Sequence, residues 1–146
     1  MKVAVPVSEI LTLYKYNPHT APKFAIYDLT KVDHEVEFSL HSIVENKICE
    51  HKNNLFSSHE LMCTCDSQKK NSFPHRCEHF ALLEFIGECS YLLAYTCCEN
   101  TKKSLKLGGI ATYKIPPIIS QIEIAMKNFI IGGYLEYKIE RTCNAS

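Results

Sequence analysis

The chain has 146 residues, 46% of them hydrophobic and 22% charged, a composition that fits one folded domain and excludes a disordered protein. Sixteen basic and sixteen acidic residues leave no net charge, which removes the footprint of a general nucleic-acid binder. No stretch reaches the roughly 18 apolar residues of a membrane helix, and the run Val3 to Val7 is too short for a signal peptide. The expectation is a cytoplasmic protein that engages neither membrane nor nucleic acid.

Lys2 to Val7 is valine-rich and reads as a strand buried on both faces. Ser8 to Pro22 carries Asn17-Pro18-His19 and Ala21-Pro22 and reads as a loop, with a helical turn over Glu9 to Leu13. Lys23 to Leu29 is a second strand. His34 to Val44 alternates with period two, placing Val36, Phe38 and Leu40 on one face, and is expected to pair with the second strand as an antiparallel hairpin.

From Glu45 to Arg76 the pattern breaks. About thirty residues without periodicity is long for a loop in a compact domain, and such loops tend to be functional or disordered. Cys77 to Ile86 is helical by spacing and stops at Gly87. Tyr91 to Thr96 is a strand, and a helix capped by Asn100 or Thr101 runs to Leu107, before Gly108-Gly109. Ile110 to Ile115 is the fifth strand. Pro116-Pro117 is read as the start of a third helix, whose apolar stripe is Ile118, Ile122, Ala125, Met126, Phe129 and Ile130. Tyr134 to Ile139 is expected to be extended and 140–146 a loose tail. The order is therefore β-β-β-α-β-α-β-α over a single domain, 1–146, with a cysteine-rich insertion at 45–76. It implies a mixed five-stranded sheet with helices on its faces.

Eight cysteines in a reducing compartment call for an explanation other than disulfides. Cys63 and Cys65 are one residue apart, and Cys77 follows at a predicted helix start, where the positive helix end favours thiolate. Cys97-Cys98 closes the fourth strand. Ligands in such sheets favour the carboxyl ends of parallel strands, and the topology puts Cys77 and Cys97-Cys98 on that rim. Thiolates suit zinc or the iron of an iron–sulfur cluster. The candidate metal ligands are therefore Cys63, Cys65, Cys77 and one of Cys97 or Cys98, since adjacent strand residues point to opposite sides. Cys49 is a reserve ligand, Cys89 reads as core and Cys143 as a tail thiol. His51, His59, His75 and His79 could each complete a zinc site, although a solvated histidine is the commoner case.

The segments Lys2 to Val7, Ala21-Pro22-Lys23-Phe24-Ala25-Ile26-Tyr27-Asp28, Leu105-Lys106-Leu107-Gly108-Gly109-Ile110-Ala111-Thr112-Tyr113 and Ile124 to Glu136 together resemble the dinitrogenase iron–molybdenum cofactor biosynthesis family. That family consists of small proteins that carry or insert iron–sulfur-based cofactors. The resemblance implies a ribonuclease-H-like three-layer fold, an iron–sulfur cluster or iron–sulfur-based metallocofactor as cargo, and a donor or acceptor protein as partner. A homodimer is left open. It also implies that His19 lies in a cofactor-facing loop. The chain departs from the family where His-Phe-Gly-Arg is usual, having Asn17-Pro18-His19-Thr20. It departs again in its insertion, and at Cys97-Cys98, where small residues and glycine are usual.

Enzyme readings are weaker. Lys2 to Val7 lacks the carboxylate that a ribonuclease-H-like nuclease needs on its first strand. Cys77 and His79 lack a visible third group for nucleophilic catalysis, a Cys97–Cys98 disulfide would be strained, and no glycine-rich phosphate motif occurs. The expectation is a non-enzymatic carrier or assembly factor. The alternative is a protein-interaction domain whose structural zinc staples the insertion.

Overall fold

The computed structural model describes residues 1–47, Leu61 and residues 81–134, the last two of these by backbone alone. Five strands form one mixed sheet: β1 (Lys2–Val7), β2 (Lys23–Val32), β3 (Glu35–Glu45), β4 (Tyr91–Ala94) and β5 (Ala111–Lys114). Their spatial order is β3-β2-β1-β4-β5. β1 pairs antiparallel with β2 and β2 antiparallel with β3, whereas β4 runs parallel to both β1 and β5. Three helices among the described residues connect or follow the later strands: α1 (Leu82–Ile86), α2 (Glu99–Leu107) and α3 (Ile122–Phe129).

The two faces of β1 explain its composition. Val3, Val5 and Val7 face a core that includes Met126 and Phe129 of α3. Ala4 faces the opposite core, with Leu82 and Ile86 of α1 and Leu105 of α2. A strand covered on both sides must be apolar throughout, and the result is a three-layer α/β arrangement. Phe129 anchors the first core, its ring centroid 4.9 Å from that of Tyr91 and 5.3 Å from that of Tyr113.

Pro6 looks misplaced in a central strand, because proline has no N–H to give a ladder. β4, however, pairs with β1 only at Val3 and Ala4. Beyond that point the chain folds back on itself: the Tyr14 N–H donates to the Pro6 carbonyl at 3.1 Å, and Val7 bridges Leu13. Pro6 therefore sits where the two parallel strands part.

Several local expectations shift. The β2–β3 hairpin is longer than its alternation suggested and turns through Asp33 and His34, both at positive φ (47° and 71°). A register shift between Ile26 and Tyr27 pairs them with Ser42 and Leu40, so His41 is the extra residue; its Nδ1 lies 3.0 Å from an Asp28 carboxylate oxygen. Val36 and Phe38 pack against the α3-side core as expected, but Leu40 is exposed because β3 is an edge strand. Glu9 to Leu13 is a closed turn and not a helical one, with Leu11 left-handed at φ 63°.

α2 begins earlier than the capping pattern suggested, with Cys98 at the N-cap position and Asn100 and Thr101 buried in its first turn. α3 starts at Ile122 rather than at the prolines. Pro116 to Ile119 closes a tight turn (Ile119 N–H to Pro116 carbonyl, 3.0 Å), and Gln121 is still extended. Ile118 consequently leaves the apolar stripe and points into solvent. Of the expected helix from Cys77, the described part is Leu82–Ile86, and Tyr134 ends a π-helical turn that begins at Ile130.

Candidate functional site

The carboxyl ends of β1, β4 and β5 lie along one edge of the sheet, because the three strands are parallel. Glu45 joins them there, since Lys23 pairs with both Val7 and Glu45. Four chain segments thus leave or return at this rim: the loop from Ser8 to Pro22, the start of the insertion, the turn Tyr95 to Cys98, and the turn after Lys114.

The first loop is held by side chains. Asn17 precedes Pro18, which disfavours helical backbone at residue 17 and is compatible with its extended conformation. A 3₁₀ turn over Pro18–Thr20 follows. The Thr20 hydroxyl donates to the Asn17 carbonyl at 2.7 Å and lies 2.7 Å from the Tyr14 hydroxyl. Asn46, immediately after β3, donates its side-chain amide to the carbonyls of His19 and Ala21 at 2.9 and 2.8 Å, while its backbone N–H donates to the Pro22 carbonyl. Each bond answers a buried carbonyl that would otherwise forfeit its hydration.

His19 itself is packed inside this loop, 2% exposed. Asn46 clamps the loop through the His19 backbone carbonyl. Asn17 makes a further connection. Its backbone N–H and side-chain amide both donate to the carbonyl of Leu61, at 3.1 and 3.0 Å. Leu61 is thereby fastened to this rim.

β4 ends at Ala94, short of the vicinal cysteines, and the two part in the turn that follows it. Cys98 is 5% exposed, and its sulfur lies 3.1 Å from the Thr101 hydroxyl in the first turn of α2. Cys97 instead lines an open cleft of about 200 Å³ between the ends of β4 and β5, with Tyr95, Lys102, Tyr113 and Lys114 around it. The Tyr113 hydroxyl donates to the Asn128 side-chain carbonyl at 2.9 Å, and the Tyr95 hydroxyl donates to the Ile119 carbonyl, which fixes both cleft walls. Burial pushes the Cys97 thiol up to about 12; the neighbouring Cys98 and Glu99 add to the rise, and Lys102 opposes it. At neutral pH this is a thiol rather than a thiolate, so it is a poor nucleophile and would release a proton on binding a metal.

Cys89 lies at the opposite edge, buried in the α1-side core, its thiol raised to about 11 by burial, with Lys2 opposing and Glu88 and Asp28 adding to the rise. Cys89 and Cys97 are free thiols. Among the described residues, no group of three or more histidine, cysteine, aspartate or glutamate side chains gathers as a metal site. Cys49, Cys63, Cys65, Cys77 and Cys143 lie outside the described residues, as do His51, His59, His75 and His79. No helix among the described residues is long and apolar enough to cross a membrane.

The residues that sequence reasoning missed are the fasteners. Lys102, half-exposed beside Glu99, also lines the cleft. Asn46 carried no signal in a single sequence, because nothing local distinguishes a clamping asparagine from a turn residue.

No family model and no curated protein sequence matches the chain. Solved structures that resemble it include the crystal structure of PH0822, with a TM-score of 0.52 at 16% identity over 90% of this chain and 92% of that one. An NMR structure of a Thermotoga protein, TM1290, provisionally assigned as a NifB protein of the DUF35 family, gives a TM-score of 0.48 at 20% identity over 90% of this chain and 88% of that one. At 16% identity the likeness to PH0822 is one of fold alone.

Proposed function

We propose that the protein binds an iron–sulfur cluster or iron–sulfur-based metallocofactor at the carboxyl rim of its sheet and passes it to a protein acceptor. The observation that carries this reading is the double hydrogen bond from Asn17 to the Leu61 carbonyl. Cys63 and Cys65 follow Leu61 by two and four residues, and an extended residue spans at most about 3.6 Å, which favours both as ligands at the rim that Leu61 joins. Cys97 is the fourth ligand in preference to Cys98, whose sulfur is buried beside Thr101. Cys63, Cys65 and Cys77 supply the others. Four thiolates suit an iron–sulfur cluster, and an open rim suits a cargo that has to leave.

We further infer that the arrangement is ribonuclease-H-like. The order β3-β2-β1-β4-β5 supports this, with β2 alone antiparallel to its neighbours and helices on both faces. Together with the family resemblance, it favours a carrier or assembly role over catalysis. The competing role for the same thiols is a structural zinc that staples the insertion.

Reconstitution with iron and sulfide in the absence of oxygen, followed in the visible spectrum, tests the ligand choice. Cys97→Ser is expected to lose the sulfur-to-iron absorption and Cys98→Ser to keep it. Equal absorption in both variants would refute the assignment of Cys97.

A further inference from the structure

The rim carries two apolar tips that the fold holds out into solvent. Ile10 is 81% exposed and Leu11 43%, on the turn after β1; Ile118 is 92% exposed, on the turn after β5. The strand order β1-β4-β5 places these turns on either side of the Cys97 cleft. Isolated exposed apolar residues are ordinary and need no explanation. These are distinguished by being locked in place.

The first turn is closed by bonds between Ser8 and Thr12 on both backbone and side chain (Ser8 N–H to Thr12 carbonyl 2.8 Å, hydroxyl to hydroxyl 2.7 Å), and it forces Leu11 into left-handed backbone. A Lys23–Glu9 ion pair at 3.6 Å ties it to β2. The second turn is stiffened by Pro116-Pro117 and fastened to the β4 turn through Tyr95. Such prepayment of ordering entropy is what a docking element needs. Between the tips the cleft presents Lys114 and Lys102, the latter with its Nζ 3.8 Å from a Glu99 carboxylate oxygen, which leaves a lysine in excess.

We propose that this rim is the docking face for an acceptor protein that offers two apolar pockets flanking an acidic centre. The proposal rests on the carrier reading above. A second copy of this chain is the poorer occupant, because rim-to-rim contact would set the lysines of one copy against those of the other.

The test places a photo-activatable phenylalanine at Ile10, at Ile118 and, as a control, at Leu107, which is 78% exposed at the end of α2 away from the rim. Irradiation in cells is expected to join the same protein at both tips and not at the control. That protein, identified by mass spectrometry and purified, should show an acidic surface. It should bind the double variant Ile10→Ser/Ile118→Ser at least about ten-fold more weakly than wild type. Its affinity should also fall with added salt. Different proteins at the two tips, no product, this chain as the only product, or unchanged affinity of the double variant would each overturn the proposal. Metal content separates this from the carrier reading. Wild-type protein that docks the acceptor without carrying metal would sink the carrier reading alone. Protein that carries metal yet yields no product would sink the docking face alone.

Discussion

Replacing Asn46 by alanine tests whether the rim is held together as described. Asn46 is 1% exposed, and its amide donates at 2.9 and 2.8 Å to two carbonyls of the His19 loop. Alanine removes both bonds and leaves the His19 and Ala21 carbonyls without those donors in a closed environment. A buried acceptor deprived of its donor costs about 1–3 kcal/mol, so the pair should cost about 2–4 kcal/mol after partial relaxation. With a urea slope of about 2 kcal/mol/M, the unfolding midpoint falls by about 1–2 M. A typical domain stability of about 5–15 kcal/mol keeps the variant folded enough to measure. Asn46→Asp keeps the shape but sets a second acceptor against the two carbonyls, so it should lose at least as much. Hydrogen exchange should quicken at the amides of Asn17, His19, Thr20 and Ala21 in both variants. A loss below about 1 kcal/mol, or an aspartate variant as stable as wild type, would refute the reasoning.

The Asp33-His34 turn places both residues in left-handed backbone, which favours glycine. His34→Gly should therefore raise stability by about 0.5–1 kcal/mol, read as a thermal midpoint about 2–4 °C higher. The thiols set an alkaline limit. Cys97 and Cys89 are raised to about 12 and about 11 from an ordinary value of 9.0. Above pH 9 the unfolded chain releases these protons and the folded one retains them, so stability is complete below pH 9 and falls as pH climbs toward 11–12. Thermal midpoints from pH 8 to 10.5 should fall for wild type and fall less for Cys89→Ala/Cys97→Ser.

Much of the architecture was legible because it is written in repeating patterns. The valines of β1 announce a strand covered on both faces, and the alternation in β3 announces a strand with one packed face, paired as a hairpin with β2. Gly108-Gly109 closes α2 where expected. What escaped were effects of tertiary contact. Pro116-Pro117 looked like a helix start, and only the turn it closes, fastened to Tyr95, shows why Ile118 faces solvent. Pro6 is tolerable in a central strand because β4 stops at its side, a fact no local pattern encodes. At the site, alternation would separate Cys97 from Cys98 only if β4 continued through them; it ends at Ala94, and which one meets the cleft depends on where α2 begins. His19 stood out as a rim residue by resemblance; that Asn46, 27 residues on and beyond the β2–β3 hairpin, donates to its carbonyl is a tertiary contact no local pattern encodes.

The central claim is that the rim thiols hold an iron–sulfur cargo. Iron, zinc and acid-labile sulfide, measured together with the visible spectrum on protein purified without oxygen, test it most directly. The account predicts iron with sulfide, lost in Cys63→Ser and in Cys97→Ser. Stoichiometric zinc without sulfide, or metal-free protein that stays folded and takes up no cluster, would contradict it.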